Sequence, residues 1–388
     1  MAANEALAYI DGVLADSATP AQLVPLYENF RALYDKKLWY QLALAIEEFL
    51  RHPASQQNAR QIALYEHFIR TFAKHINHLK LASFGVIVSR QFDDAAKAYA
   101  FLHALADAWR DDAEKQDAYT LLAMEGAHFQ LLLGNVAETK EAMEECAKIL
   151  DKVSSVDPLV NASFYRVSGN YYKSKAEYAD YYRNFLLFLA CINVDAEMSV
   201  AEQVQSAHDL GISALLGDTI YNFGELLLHP IFQSLRGTGY EWISELLYAF
   251  NAGDIGRFEA VIPKLAQEPI LESNLAFLRQ KICLMALIEN VFRRSPDDRT
   301  LSFDTVARET HIPVDEVEHL IMKALSLHLI RGSLDEAAHF VHITWVQPRV
   351  LDKDQMKALA ERLSTWCEHV EHVSQFVMSQ SPELFSSA

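Results

Sequence analysis

The side chains best able to do chemistry come in pairs, and the pairs are incomplete. Histidines stand at i, i+3 in His75/His78, His339/His342 and His369/His372. On a helix such a pair shares a face and supplies part of the ligand set that zinc takes. No further ligand is signposted beside any of them, and His342 falls in a stretch that alternates like a strand. These histidines read as solvated or capping side chains, and no metal is expected. Gly211-Ile-Ser-Ala-Leu215 has half of a nucleophile elbow and lacks its second glycine, so Ser213 reads as a helix-interior residue. Carboxylates are neighbours in Glu47-Glu48, Asp111-Asp112 and Glu144-Glu145. Adjacent residues on a helix do not face each other, so each pair reads as a solvated face and not as an acid–base couple. The cysteines Cys146, Cys191, Cys283 and Cys367 include no CxxC, which removes the zinc ribbon and the redox pair. In a chain of this size and spacing they read as reduced core thiols. Neither GxxxxGK[ST] nor HExxH occurs. The expectation is a chain with no catalytic, cofactor-binding or metal-ligating set: not an enzyme, and without a cofactor.

Composition narrows the partners. The 388 residues are 51% hydrophobic and 22% charged, the balance of a folded protein. Asp+Glu is 52 against Lys+Arg 34, a formal net charge of -18, which repels nucleic-acid phosphates. Thirteen Gly and eleven Pro are few for an all-β chain of this length. The first residues lack a basic segment, so no signal peptide is expected. The longest apolar run, Phe185-Leu-Leu-Phe-Leu-Ala-Cys-Ile192, is far short of the roughly 20 residues that span a bilayer, so no membrane partner is expected.

The elements are helical. Leu23, Leu26, Tyr27 and Phe30 lie on one helical face, and so do Leu38, Leu42, Ala45, Ile46 and Phe49. Pro53 closes the second helix. Further helices are predicted over 58–74, 79–91, 93–110, 116–133, 136–151, 157–173, 176–192 and 199–215, with no strand before residue 295. Leu133-Gly-Asn-Val136 and Ala252-Gly-Asp-Ile255 share a joint: glycine in the left-handed position ends one helix. Asn135 or Asp254 is then expected to cap the next. Such short links give antiparallel helical hairpins, the unit of an α-solenoid. The tyrosines Tyr165, Tyr171, Tyr172, Tyr178, Tyr181 and Tyr182 are expected to pack between hairpins.

The pattern changes after the polar stretch 293–299. Ser302 is an expected N-cap, with Phe303, Val306 and Ala307 facing inward. A second helix is expected to open at Pro313 and to bury Val317, Leu320, Ile321, Ala324 and Leu325. Two strands follow, Leu329–Leu334 and Phe340–Val346, with Val341, Ile343 and Trp345 alternating against His342 and Thr344. Helices followed by a hairpin make a winged helix. Its second helix exposes Asp315, Glu316, Glu318, His319 and Lys323, three acids to one lysine, which is wrong for reading DNA. A C-terminal helix then carries Met356, Leu359, Leu363, Trp366, Val370, Val373 and Val377 at alternating spacings of three and four, an uninterrupted heptad seam.

A helical repeat running into a winged helix resembles the PCI domain, and Val317-Glu-His-Leu-Ile-Met-Lys-Ala324 is similar to its winged-helix signature. Five further blocks narrow the resemblance. They are Leu33-Tyr-Asp-Lys-Lys-Leu-Trp39, Asn222-Phe-Gly-Glu-Leu-Leu-Leu-His-Pro230, Leu247-Tyr-Ala-Phe-Asn-Ala-Gly-Asp254, Lys323-Ala-Leu-Ser326 and Thr344-Trp-Val-Gln-Pro-Arg-Val-Leu-Asp352. Together they resemble the non-ATPase regulatory subunit 13 family of the 26S proteasome.

The resemblance implies an all-α fold: a tetratricopeptide-like α-solenoid, then a winged-helix PCI subdomain with a small β-sheet, then the heptad helix. It divides the chain into N-terminal repeats at 1–180, a PCI domain at 181–350 (helical part 181–293, winged helix 294–347) and a C-terminal bundle helix and tail at 351–388. It implies a non-catalytic scaffold of the regulatory-particle lid, in cytoplasm and nucleus, supporting lid assembly and ubiquitin-dependent degradation. Implied partners are other lid subunits of PCI and metalloprotease fold, with a ubiquitin-receptor subunit as a neighbour. The alternative is a PCI scaffold of the COP9 signalosome or of a translation initiation factor complex. Partner-binding residues would be the seven seam residues, through the helical bundle, and His342 and Thr344, at the edge of the winged-helix sheet.

Overall fold

The computed structural model describes residues 2–15, 20–110, 112–153, 155–294, 299–350 and 353–380. The chain folds as two compact units, Met1–Ser199 and Val200–Ala388. A division at 180/181 would cut the helix Tyr178–Cys191.

The first unit is built of α1 (Ala2–Ala15), α2 (Val24–Asp35), α3 (Trp39–Arg51), α4 (Arg60–His67), α5 (His78–Ser89), α6 (Ala95–Asp107), α7 (Gln116–Leu132), α8 (Val136–Leu150), α9 (Pro158–Ser174), α10 (Tyr178–Cys191) and the single turn α11 (Val194–Glu197). The apolar faces read from the sequence are the buried ones. Tyr27 and Phe30 of α2 meet Phe49 of α3 at ring separations of 5.2 and 5.7 Å. The helix expected over 58–74 is broken. α4 stops at His67, and 3-10 turns carry the chain to His75. Phe68, Ile69 and Phe72 are all buried in the same core as α2 and α3 at a spacing one α-helical face also presents, so the pattern reads through the break, where Phe72 takes non-helical φ -123° and ψ 18°. Gly134 ends α7 in the left-handed conformation, φ +88°. Asn135, however, does not cap α8: its amide donates to Gln130 Oε1 instead, at 2.6 Å. Of the six tyrosines, Tyr171, Tyr181 and Tyr182 are buried, and Tyr181 stacks on Phe185.

The second unit continues with α12 (Val200–Leu216), α13 (Gly224–Leu228), α14 (Glu241–Ala252), α15 (Ile255–Val261), α16 (Pro269–Ser273) and α17 (Leu275–Arg293). Gly211 lies within α12, as expected, where an added Cβ would come 2.6 Å from Ile243 of α14. Gly253 takes φ +65°, and Asp254 accepts from the Arg257 amide at the start of α15. The winged helix comprises β1 (Thr300–Ser302), α18 (Phe303–Thr310), α19 (Val314–Ser326), β2 (Ile330–Asp335) and β3 (Phe340–Val346), followed by α20 (Lys353–Gln380). Ser302 caps α18 through Thr305 N–H; Pro313 is the residue before α19 and not its first. Val317, Leu320, Ile321 and Ala324 are buried, with Leu325 half-buried at the margin.

The sheet order is β1-β3-β2, antiparallel throughout. The three-residue strand β1 was not foreseen: so short a piece, ending in a helix cap, shows no alternation. The register shifts between Arg331 and Gly332, so that Arg331 pairs with Trp345 and Gly332 with Ile343. Thr344 is the extra residue of a β-bulge. The bulge breaks the expected alternation. Trp345 is half-buried under the Arg331 guanidinium, and Val346 is buried instead.

Candidate interaction site

Leaving β3, the chain is fastened at successive points. Gln347 N–H donates to Leu329 C=O at 2.8 Å. Arg349 then turns inward. Its Nη1 lies 2.6 Å from Glu289 Oε2 of α17, and its Nη2 donates to the carbonyl of Asn251 and, at 3.0 Å, to Asn251 Oδ1. Glu289 Oε1 also accepts from Arg293 Nε at 3.0 Å. The Arg349 and Glu289 side chains are only 8% and 9% exposed. Burial pulls the guanidinium below its usual range, and Glu289 opposes that. Val350 fills a notch at Gly224, where an added Cβ would meet the valine Cβ at 2.7 Å. Three of the blocks quoted above, around Asn222–Pro230, Leu247–Asp254 and Thr344–Asp352, therefore meet at one place. The clamp needs a residue from each, together with Glu289, and no periodicity in the sequence points to it.

Beyond the clamp is α20, 28 residues and about 42 Å long at 1.5 Å per residue. Every side chain from Met356 to Gln380 is exposed except Ser374, which is half-buried. The seam residues Met356, Leu359, Leu363, Trp366, Val370, Val373 and Val377 are all among them, from 39% exposed at Val377 to 63% at Trp366. Phe376 and Met378 are equally bare. A strict seam overlooks them because neither stands at an a or d position; the unbroken run Phe376-Val377-Met378 was the available signal.

His342 and Thr344 do point outward, but His342 does not stand at an edge. Both lie on β3, the central strand of the sheet: β1 pairs with it at His342, and Thr344 lies two residues past the end of that ladder. Their polar atoms are engaged: His342 Nδ1 lies 3.0 Å from Thr300 Oγ1, and Thr344 Oγ1 donates to Arg331 C=O at 3.1 Å. The longer strand with an open side is β2. The histidine pairs do not converge on ligand geometry. His75 stacks on Trp39 at 5.0 Å, and among the described residues no group of three or more His, Cys, Asp or Glu could hold a metal. Among them, too, no helix is long and apolar enough to cross a membrane.

Comparison with known proteins joins the two halves of this description. Residues 26–247 match the family described as PSD13 N-terminal repeats, and residues 261–345 match the PCI domain. The chain belongs to the PSD13 family. It is similar to the probable 26S proteasome regulatory subunit rpn9 of Schizosaccharomyces pombe, at 41% identity over 94% of each chain. It is likewise similar to 26S proteasome non-ATPase regulatory subunit 13 homolog A of Arabidopsis thaliana, at 37% identity over 98% of this chain and 100% of the relative. Eukaryotic translation initiation factor 3 subunit M of Emericella nidulans is 26% identical over 45% of this chain and 41% of its own. The likeness to initiation factors is thus partial, whereas the PSD13 likeness runs through repeats, winged helix and clamp together.

Proposed function

We propose that this chain is a non-catalytic scaffold subunit of the lid of the 26S proteasome regulatory particle, and that α20 is its principal attachment. The observation that carries the proposal is the bare seam on α20 in a chain of the PSD13 family. Burying each seam side chain is worth about 1.5–3 kcal/mol, so seven offer roughly 10–20 kcal/mol before ordering and association costs. Trp366, near the middle of the seam, is the natural anchor. The open side of β2 supports a second contact, in which a neighbouring PCI subunit extends or covers the small sheet. His342 and Thr344 would then flank that contact from the outer face. The partners are other lid subunits of PCI and metalloprotease fold, with the ubiquitin receptor as a neighbour, in cytoplasm and nucleus. The role is binding and geometry, supporting ubiquitin-dependent degradation without chemistry in this chain. The signalosome and initiation-factor readings are weaker, since the names of the full-length relatives are proteasomal.

The test is incorporation into the lid from purified subunits. A chain ending at Leu351 should remain folded and soluble yet enter the lid poorly. Trp366→Ala should weaken entry while moving the free chain's Tm little. Normal assembly of the truncated chain would sink the proposal.

A further inference from the structure

The first unit has a groove that the α20 reading does not use. Its volume is about 290 Å³, with α7 as floor and α6 and α8 as walls. The floor is made low by small residues, Ala123, Gly126 and Ala127, so that backbone can approach closely. The charged rim is uneven. Arg110 lies 3.0 Å from Glu145, which also accepts from Tyr119 Oη at 3.1 Å, and His103 lies 2.8 Å from Asp107. Glu138 and Glu141 of α8 also line the groove, and neither has a cationic partner among the described residues. They are three residues apart on a helix and share its face. Deeper in, Gln130 is only 7% exposed. Its Oε1 accepts from Asn135 Nδ2 at 2.6 Å, which ties this end of α7 to the start of α8.

A trough with a floor of small residues and two uncompensated carboxylates on one wall fits a basic polypeptide better than a small anion or an acidic chain. We propose that the groove binds a lysine- or arginine-bearing segment of a partner protein, its backbone along α7 and its cationic side chains on Glu138 and Glu141. Charge-assisted contacts give register, and the small-residue floor admits the main chain. This surface is independent of the α20 seam, so either assignment can fail without the other.

The experiment uses the full chain and a short fluorescein-labelled peptide of alternating lysine and alanine, with glutamine–alanine and glutamate–alanine peptides as controls. Anisotropy should report binding of the lysine peptide alone, weakening with salt. The pair Glu138→Gln/Glu141→Gln should weaken it roughly three- to tenfold, the size of two exposed ion pairs. The pair Glu138→Lys/Glu141→Lys should turn the preference towards the glutamate peptide. Glu48→Lys/Glu144→Lys makes the same change in net charge on exposed residues that do not line the groove, and should leave the preference in place. Hydrogen exchange should slow within 119–145 on adding the lysine peptide. Equal loss in the control pair would reduce the effect to the chain's overall negative charge and overturn the proposal. So would failure to distinguish lysine from glutamine peptide, or protection that maps elsewhere.

Discussion

Single residues set the terms at two buried sites in the second unit. Lys281 is 1% exposed, and its Nζ donates to the carbonyls of Ala214, Leu215 and Gly217, at 2.8, 3.0 and 2.6 Å, where α12 ends. Burial pulls the ammonium down to about 7, while the rings of Tyr221, Phe223 and Phe277 surround it at 5.3–5.8 Å. The lysine is a helix cap supplied from another helix. Lys281→Met keeps the bulk and strands those carbonyls, so urea unfolding should show a loss of about 2–4 kcal/mol. His208 behaves in the opposite sense. Nδ1 lies 3.3 Å from Asp209 Oδ1, Nε2 lies 2.9 Å from Glu268 Oε1, and the Tyr240 ring is 4.4 Å away. The bond to Asp209 and then that to Glu268 outweigh burial and raise its pKa. A histidine raised on folding stabilises fully below its unfolded value of about 6.5 and loses that contribution as pH climbs through the folded value. The stability gap between wild type and His208→Gln should therefore be wider near pH 6 than near pH 8.5. A gap that widens with pH would contradict the assignment.

At the scale of elements, joints decide what periodicity leaves open. Gly253 closes α14 with φ +65°, and an added Cβ would come 2.7 Å from Ala286 Cα of α17. Backbone cannot give way as a flexible side chain does. Gly253→Ala should cost about 1–3 kcal/mol, read from the chemical melt, whereas Gly134→Ala should cost about 1 kcal/mol, because its φ is equally positive but its surroundings are open. Many of the helices and the winged helix were legible in the sequence because they bury one stripe, as in α3 and α19, whereas α7 and α17 are buried nearly all round. Three features were not legible. The 3-10 turns after His67 leave no mark because Leu64, Tyr65, Phe68, Ile69 and Phe72 keep a helical spacing straight through them. β1 is too short to show a period. The Arg349 clamp draws on residues nearly a hundred positions apart, which no local pattern records. The seam of α20 was legible residue by residue because its 3-4 spacing is uninterrupted, and among the described residues nothing covers it. His342 does not stand at an edge, because the unseen β1 pairs with it through Thr300.

At the scale of the molecule, the surfaces proposed for lid contacts all fall in one of two compact units. The second, from Val200 onward, contains the clamp, the winged helix and α20, all of the surface assigned to lid contacts. A chain of residues 200–388 should accordingly fold alone, with a cooperative thermal transition, and compete with the full chain for entry into the lid. The first unit alone should not compete. Competition by 1–199 and not by 200–388 would reverse the assignment. The uncovered strip on α20 also imposes a condition of supply. A copy that finds no partner keeps that strip in water, the kind of surface that draws like copies together. Removing α20 should therefore raise the solubility of the free chain without changing its Tm, as light scattering and a thermal melt would show. Production beyond the number of partners should then yield clumped surplus instead of more assembled particles, with the scarcest companion capping the useful dose.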